Sequence, residues 1–327
     1  MTNKNLNPIL FSYSFASKGE GTRLNNQDVA TELKNPDLSW VHLDGTSKTC
    51  AKWIQSEVNY LDNIIIDALI AEETRPRILK FDKGILLILR GVNLSKNSAK
   101  YDMVSIRMWI DNERIISIEK RAMKSVYDLE QKIANGLKIQ NSGNFLCNFL
   151  NENLQNISDH IYQAGNKIDE IEDAVLVTRN MKFRDIIVKI RSQLTISRRY
   201  LTPQREAIAG LSSIKFDWTN SIIHRHFQEK HDQINHIIEE ADEVLIRSKI
   251  LNDELSHALN ERINRNMYRL SAIAIIFMPL TFITSLFGMN FVKIPFSQNP
   301  DGFMMICVFM AVMTLVQLMF FKRKDWF

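Results

Sequence analysis

Three cysteines, at Cys50, Cys147 and Cys307, make no CxxC pair and no disulfide framework, so the bulk of the chain is expected in a reducing, cytosolic setting. Cys307 lies in an apolar run, where a thiol packs as a small hydrophobe. Met1 to Ser12 lacks a basic stretch followed by an apolar one, which argues against a signal peptide. No GxxxxGK[ST] loop is present to hold ATP, so any work must draw on gradients. A net charge of +4, mixed in sign along the chain, excludes a nucleic-acid partner as the expectation. No nucleophile or catalytic constellation stands out, and the chain is not expected to be an enzyme. His42 near Asp44 is read as part of the fold rather than as an acid–base pair.

The most informative shortage is of charge near the end of the chain. None occurs from Leu270 to Val292 or from Gly302 to Phe321. At about 1.5 Å per residue each run is long enough, as a helix, to cross a bilayer. Arg262, Arg265 and Arg269 precede the first run, Lys322, Arg323 and Lys324 follow the second, and the loop between holds only Lys293 and Asp301. Positive flanks stay inside, so both termini are expected in the cytoplasm and the loop outside. The organisation predicted is an α/β cytosolic domain over 1–142, a long-helix stalk over 143–266, a first span over 267–290, an external loop over 291–301, a second span over 302–321 and a basic tail over 322–327.

Two helices cannot enclose a polar path, so the alternatives are a membrane anchor or several copies around an axis. At about 100° per residue, Met267, Leu270, Ala274, Met278, Thr281 and Ser285 fall near one line of the first span. Phe277, Leu280, Phe282 and Ile283 occupy other faces. A narrow stripe with two hydroxyls suits a pore, and it equally suits close helix packing. Gly288 tips the balance towards a pore. A glycine can end the helix in a left-handed turn and free the Asn290 carboxamide to face the axis. A ring of such oxygens would hold a cation through its water shell, since neither span offers a carboxylate. Pro279 leaves the carbonyl of Ile275 without its helical donor and favours a kink.

The run Met278-Pro279-Leu280-Thr281-Phe282-Ile283, followed by Phe287-Gly288-Met289-Asn290, a short loop and a last span with a basic tail, resembles the CorA family of divalent-cation transporters. Trp40-Val41-His42-Leu43, Thr74-Arg75-Pro76-Arg77 after Glu73, and Arg198 to Arg205 resemble its zinc-associated ZntB branch. The resemblance implies a funnel-shaped homopentamer in the inner (plasma) membrane, with no permanently bound cofactor. It implies pore-lining positions at Asn264, Met267, Leu270, Met278, Thr281 and Asn290, with Gly288, Met289 and Ser285 beside them. The implied cargo is a divalent ion: zinc, with magnesium, cobalt, nickel and cadmium as relatives' chemistry, and proton coupling in the zinc branch. Met289 follows the CorA form of the triplet, whereas zinc-branch proteins often carry valine there. The loop has Lys293 where magnesium transporters usually carry an acid. A magnesium or cobalt channel therefore stays as the second reading.

Strands are predicted at Ser39–Leu43, Ile85–Val92, Met103–Ile110 and Ile115–Glu119, and helices at Ala51–Glu73 and Ala122–Leu137. From Asn144 the pattern is helical, with one helix over about Asp217–Phe287. Along it Ile234, Ile238, Ala241, Leu245, Ser248, Leu255 and Leu259 keep a coiled-coil-like spacing, expected to pack between subunits. His224, His226, His231 and His236 are the histidine cluster. His224 and His226 point about 200° apart, and His224 and His231 lie about 10 Å apart along the axis, so only a site shared between subunits could use His224 and His231. Asp253, Asn260 and Asn264 approach the line of the stripe and are candidates for polar rings at an inner mouth.

Overall fold

The computed structural model describes residues 7–15, 18–58, 60–72, 74–94, 103–178, 182–289 and 300–323. In chain order the elements are β1 (Ile9–Phe15), β2 (Gly21–Arg23), α1 (Val29–Glu32), β3 (Leu38–Asp44), α2 (Cys50–Glu57), α3 (Asn63–Ile70), β4 (Arg77–Lys80), β5 (Gly84–Val92), β6 (Met103–Asp111), β7 (Arg114–Glu119), α4 (Lys124–Ala134), α5 (Ser142–Thr178), α6 (Lys182–Leu211), α7 (Ser221–Phe287) and α8 (Gly302–Arg323). The chain divides into two compact units, Met1–Leu251 and Asn252–Phe327.

The first unit is built on a seven-stranded sheet of order β2-β1-β3-β7-β6-β5-β4, antiparallel except for β3 beside β7. Alternation along β3 sends Val41 and Leu43 to one face and Trp40 and His42 to the other. The first face meets Ile54 of α2 and Ile65, Ile66 and Leu69 of α3 in an apolar cluster with Leu86, Trp109 and Ile116. On the second face Trp40 packs edge-on against Phe11 and against Phe145 of α5, at 5.0 and 4.9 Å. Both faces are thus covered, which is why β5, β6 and β7 read as nearly continuous apolar runs.

The helix predicted over Ala51–Glu73 is two helices. Asp62 takes an extended backbone and its carboxylate accepts the N–H of Ile64 at 3.3 Å, capping α3. Neither glycine nor proline marks that break, so spacing alone did not reveal it. Glu73, part of the ZntB-like segment, lies outside the described residues. α4 stops before Gly136, whose φ of +98° lets the N–H of Leu137 reach the carbonyl of Lys132 at 2.9 Å.

His42 has a different partner from the one its neighbour in sequence suggested. Its Nδ1 lies 2.8 Å from the Ser117 hydroxyl, which also accepts from Trp40 Nε1 at 2.8 Å. Its Nε2 faces Glu119 at 3.4 Å, not Asp44. Parallel pairing of β3 with β7 sets His42 against Ser117 and creates this buried polar line.

The apolar seam of α7 is also placed differently. Ile234, Ile238, Ala241, Ser248 and Leu255 are buried within a single chain, while Leu245 and Leu259 are half-buried. The seam therefore does not need another subunit. In the first unit α5 and α6 lie against α7: a Cβ at Gly165 would sit 3.3 Å from Val244, Lys230 donates to Asn151 Oδ1 at 3.0 Å, and Arg198 pairs with Asp242 at 2.7 Å. Arg247 adds ion pairs to Asp169 and, at 2.8 Å, to Glu172. Ile234→Ala should accordingly destabilise the isolated protomer by about 2–5 kcal/mol. Chemical denaturation at a dilution that dissociates the oligomer checks this. A loss seen only in the assembled state would restore the intersubunit reading.

Candidate ion pathway on α7

α7 runs for 67 residues, about 100 Å of helix, and its last ten or so turns belong to the second unit with α8. Among the described helices, only α7 and α8 contain stretches long and apolar enough to cross a membrane, and those stretches are almost wholly exposed.

Exposure is not uniform around the first span. Ala272 and Ile276 are buried and Pro279, Leu280 and Ile283 are half-buried. Their spacing puts them on one side of α7. α8 has a matching line at Gly302, Ile306, Cys307, Met310, Met313, Thr314, Gln317 and Phe321, the least exposed positions along it. These lines are the faces on which the two spans pair within one chain. The stripe predicted from periodicity lies about 120–200° round from Ile276, on the bare side of α7. Asn264, Ala274, Thr281 and Ser285 are exposed, and Met267, Leu270 and Met278 are 60, 67 and 70% exposed.

The Thr281 hydroxyl lies 2.9 Å from both the Phe277 and the Met278 carbonyl oxygens, and Thr284 bonds in the same way to Leu280 and Thr281. The hydroxyl hydrogen is thereby turned onto the helix. The lone pairs of Thr281 remain available on the bare side, which suits an acceptor for a cation or for its bound water.

α7 ends at Phe287, but not through a left-handed glycine. The described glycines with positive φ are Gly19 and Gly136, and Gly288 is not one of them. Its N–H is shared between the carbonyls of Thr284 at 2.9 Å and Ser285 at 3.2 Å, a tightening of the last turn common at helix ends. Met289 follows, 47% exposed. Asn290, and the loop from Phe291 with Lys293, lie outside the described residues.

The other predicted ligands do not converge. Among the described residues no three histidine, cysteine, aspartate or glutamate side chains come together as a metal-binding group. His224 is half-buried and packs edge-on to Phe227, with ring centroids 6.4 Å apart. His231 faces Asp232 at 3.7 Å, and His226 and His236 face Glu229 and Glu239 one turn on. Asp253 is exposed. Burial pushes the Cys50 thiol up to about 11 and the Cys147 thiol up to about 12, so both stay protonated.

The sequence profile of the CorA-like Mg2+ transporter protein family matches residues 35–323. The chain belongs to this CorA-like family. A relative called zinc transport protein ZntB, from Yersinia enterocolitica, is 30% identical over 317 residues, covering 97% of this chain and 95% of its own. The solved full-length CmaX protein is 27% identical and superposes with a TM-score of 0.82 over 99% of this chain and 100% of its own. The CorA magnesium transporter of Methanocaldococcus jannaschii shares the fold at 18% identity, with a TM-score of 0.82 over 97% and 99% of the two chains. The CorA-like fold thus comprises the α/β unit, the long helices and the two C-terminal candidate membrane helices.

Proposed function

We propose that the chain is a membrane transporter for divalent cations, with zinc as its preferred cargo, and that the ion passes along the bare stripe of α7 at the axis of a homopentamer. The observation that carries this reading is the position of the stripe. α8 covers the opposite side of α7, so Met267, Leu270, Met278, Thr281 and Ser285 are left for an axis shared between copies. Membership of the CorA-like family supports divalent cations as the class, and the near-full-length ZntB relative favours zinc within it. The family's own description favours magnesium as the second reading. On the proposed topology both termini lie in the cytoplasm, the ion stays largely hydrated past Asn290, and gradients supply the driving force.

Reconstitution into proteoliposomes tests this directly. Zinc uptake should exceed magnesium and cobalt uptake, and an imposed proton gradient should change its rate if transport is proton-coupled. Asn290→Ala should reduce flux by about tenfold or more with the oligomer intact, the scale on which loss of one ring of ligands acts. Absence of flux for every ion would end the transporter reading. Preference for magnesium would leave the pathway standing and change the cargo.

A further inference from the structure

The first face of the sheet changes character where α3 ends. Around Leu86, Trp109 and Ile116 it is apolar and covered. Beyond Ile70 the same face carries Arg90 on β5, Ser105 and Arg107 on β6, and Lys120 just after β7. Arg90 stands directly across from Ser105, and Arg107 is two residues along on the same side. With Thr74, Arg75, Arg121 and, from α6, Arg199 and Tyr200, they line a cavity of about 830 Å³. That volume suits a small molecule. Among the described lining residues the cations are Arg75, Arg90, Arg107, Lys120, Arg121 and Arg199, and the one carboxylate is Glu72.

Arg107 is the centre of this arrangement. It is 1% exposed, one of the largest fully buried side chains. Its Nη2 donates to the carbonyls of Ala71 at 2.7 Å and Glu72 at 3.2 Å. Nε and Nη1 are buried and have no hydrogen-bond partner among the described residues. Thr74, 7% exposed, has a buried hydroxyl in the same condition. Burial and the neighbouring Arg90 both lower the Arg107 pKa from its ordinary value. Arg90, beside it in the wall, is also held in place. Arg90 is fixed by the carbonyls of Met103 and Thr74 at 3.1 and 2.8 Å, and its guanidinium lies 4.3 Å over the ring of Tyr200. Arg199 lies 5.1 Å from the same ring centroid.

Nε and Nη1 lie on different edges of the planar guanidinium, so each would donate to an acceptor oxygen of its own, and both favour an oxyanion over a cation. From the two unpartnered donors of Arg107 inside a wall of cations, we infer that this cavity is a binding site for a small molecule carrying two or more phosphate groups, such as a nucleotide or a free polyphosphate. Arg107 and Thr74 take one phosphate, and the exposed Arg75, Arg121 and Arg199 take the next. The site is separate from the stripe on α7 and requires no divalent ion.

Isothermal titration of the full-length protein in detergent, with EDTA present and ionic strength fixed, tests the inference with tripolyphosphate, ATP and inorganic phosphate as separate titrants. Tripolyphosphate and ATP should bind at one site per chain and compete, and inorganic phosphate should bind at least about tenfold more weakly. Tighter binding of ATP would identify a nucleotide as the occupant, and equal binding a free polyphosphate. Arg107→Gln should weaken both by about tenfold or more. Because that change touches a buried residue, Arg75→Ala combined with Arg199→Ala serves as a surface variant. It should weaken binding about threefold to tenfold with unchanged circular dichroism. Glu72→Gln should tighten it. No heat of binding up to about 10 mM titrant, or equal affinity in wild type and both arginine variants, would overturn the proposal.

Discussion

Thr281→Lys should abolish divalent-cation uptake, by about a hundredfold or more, while the protein still assembles. Thr281 sits on the side of α7 away from the line that faces α8, with its hydroxyl held by the Phe277 and Met278 carbonyls. In an axial assembly each copy would place one lysine around the same short stretch of pore. A unit charge about 6 Å from a divalent ion, at an effective dielectric constant of about 20, repels it by about 5 kcal/mol. A tenfold change in rate needs only about 1.4 kcal/mol, so even a heavily screened ring stops conduction.

Graded substitutions at the same position separate charge from shape. Thr281→Ser keeps the oxygen and should hold flux within about twofold. Thr281→Val keeps the volume but removes the acceptor, and should cost about tenfold if the oxygen stands in for part of the hydration shell. Phe282→Leu, 100° round the helix and 66% exposed, should leave flux nearly unchanged. Uptake and native mass of each variant would be measured together. Normal flux through an assembled Thr281→Lys variant would remove the stripe from the pathway.

The spans and the stripe were readable because each rests on a property that local sequence carries. A run without charge and a period near 3.6 need no knowledge of the partner. Strands β3, β5, β6 and β7 were readable for the same reason, as β-branched and apolar runs. The α7 seam was recognised, but its partner was not. The repeat of Ile234, Ile238 and Ala241 is the same whether the helix packs on its own α5 and α6 or on another copy. Gly288 was recognised as a helix end and misjudged in conformation, because glycine permits a left-handed turn without requiring one. The phosphate cavity was missed altogether. Its signal was present in Met103–Asp111, where Arg107 interrupts a largely apolar strand on the side that also carries Trp109. A lone arginine there became meaningful only when pairing brought Arg90 and Lys120 to the same row.

Glu119→Leu should destabilise the first unit by about 3–5 kcal/mol, because the Tyr127 hydroxyl, the Met123 N–H and His42 would each lose a buried partner at about 1–3 kcal/mol apiece. Glu119 is 4% exposed. Its carboxylate accepts the Tyr127 hydroxyl at 2.6 Å and the Met123 N–H at 2.9 Å, and faces His42 at 3.4 Å. Burial alone would raise its pKa. His42, Tyr127 and the Met123 N–H together outweigh burial and hold it below the ordinary value. A depressed folded-state pKa means that the ionised group stabilises the fold. That contribution is complete above the unfolded value of about 4.3 and is lost as pH falls through the lower folded value. Thermal unfolding should therefore show the wild type losing stability steeply below about pH 4.3, with a shallower acid limb in Glu119→Leu. At neutral pH the variant's Tm should fall by about 10 °C. Glu119→Gln, which keeps an acceptor but no charge, should fall between the two. Equal acid limbs in wild type and Glu119→Leu would show that the carboxylate does not hold β7 to α4 by its charge.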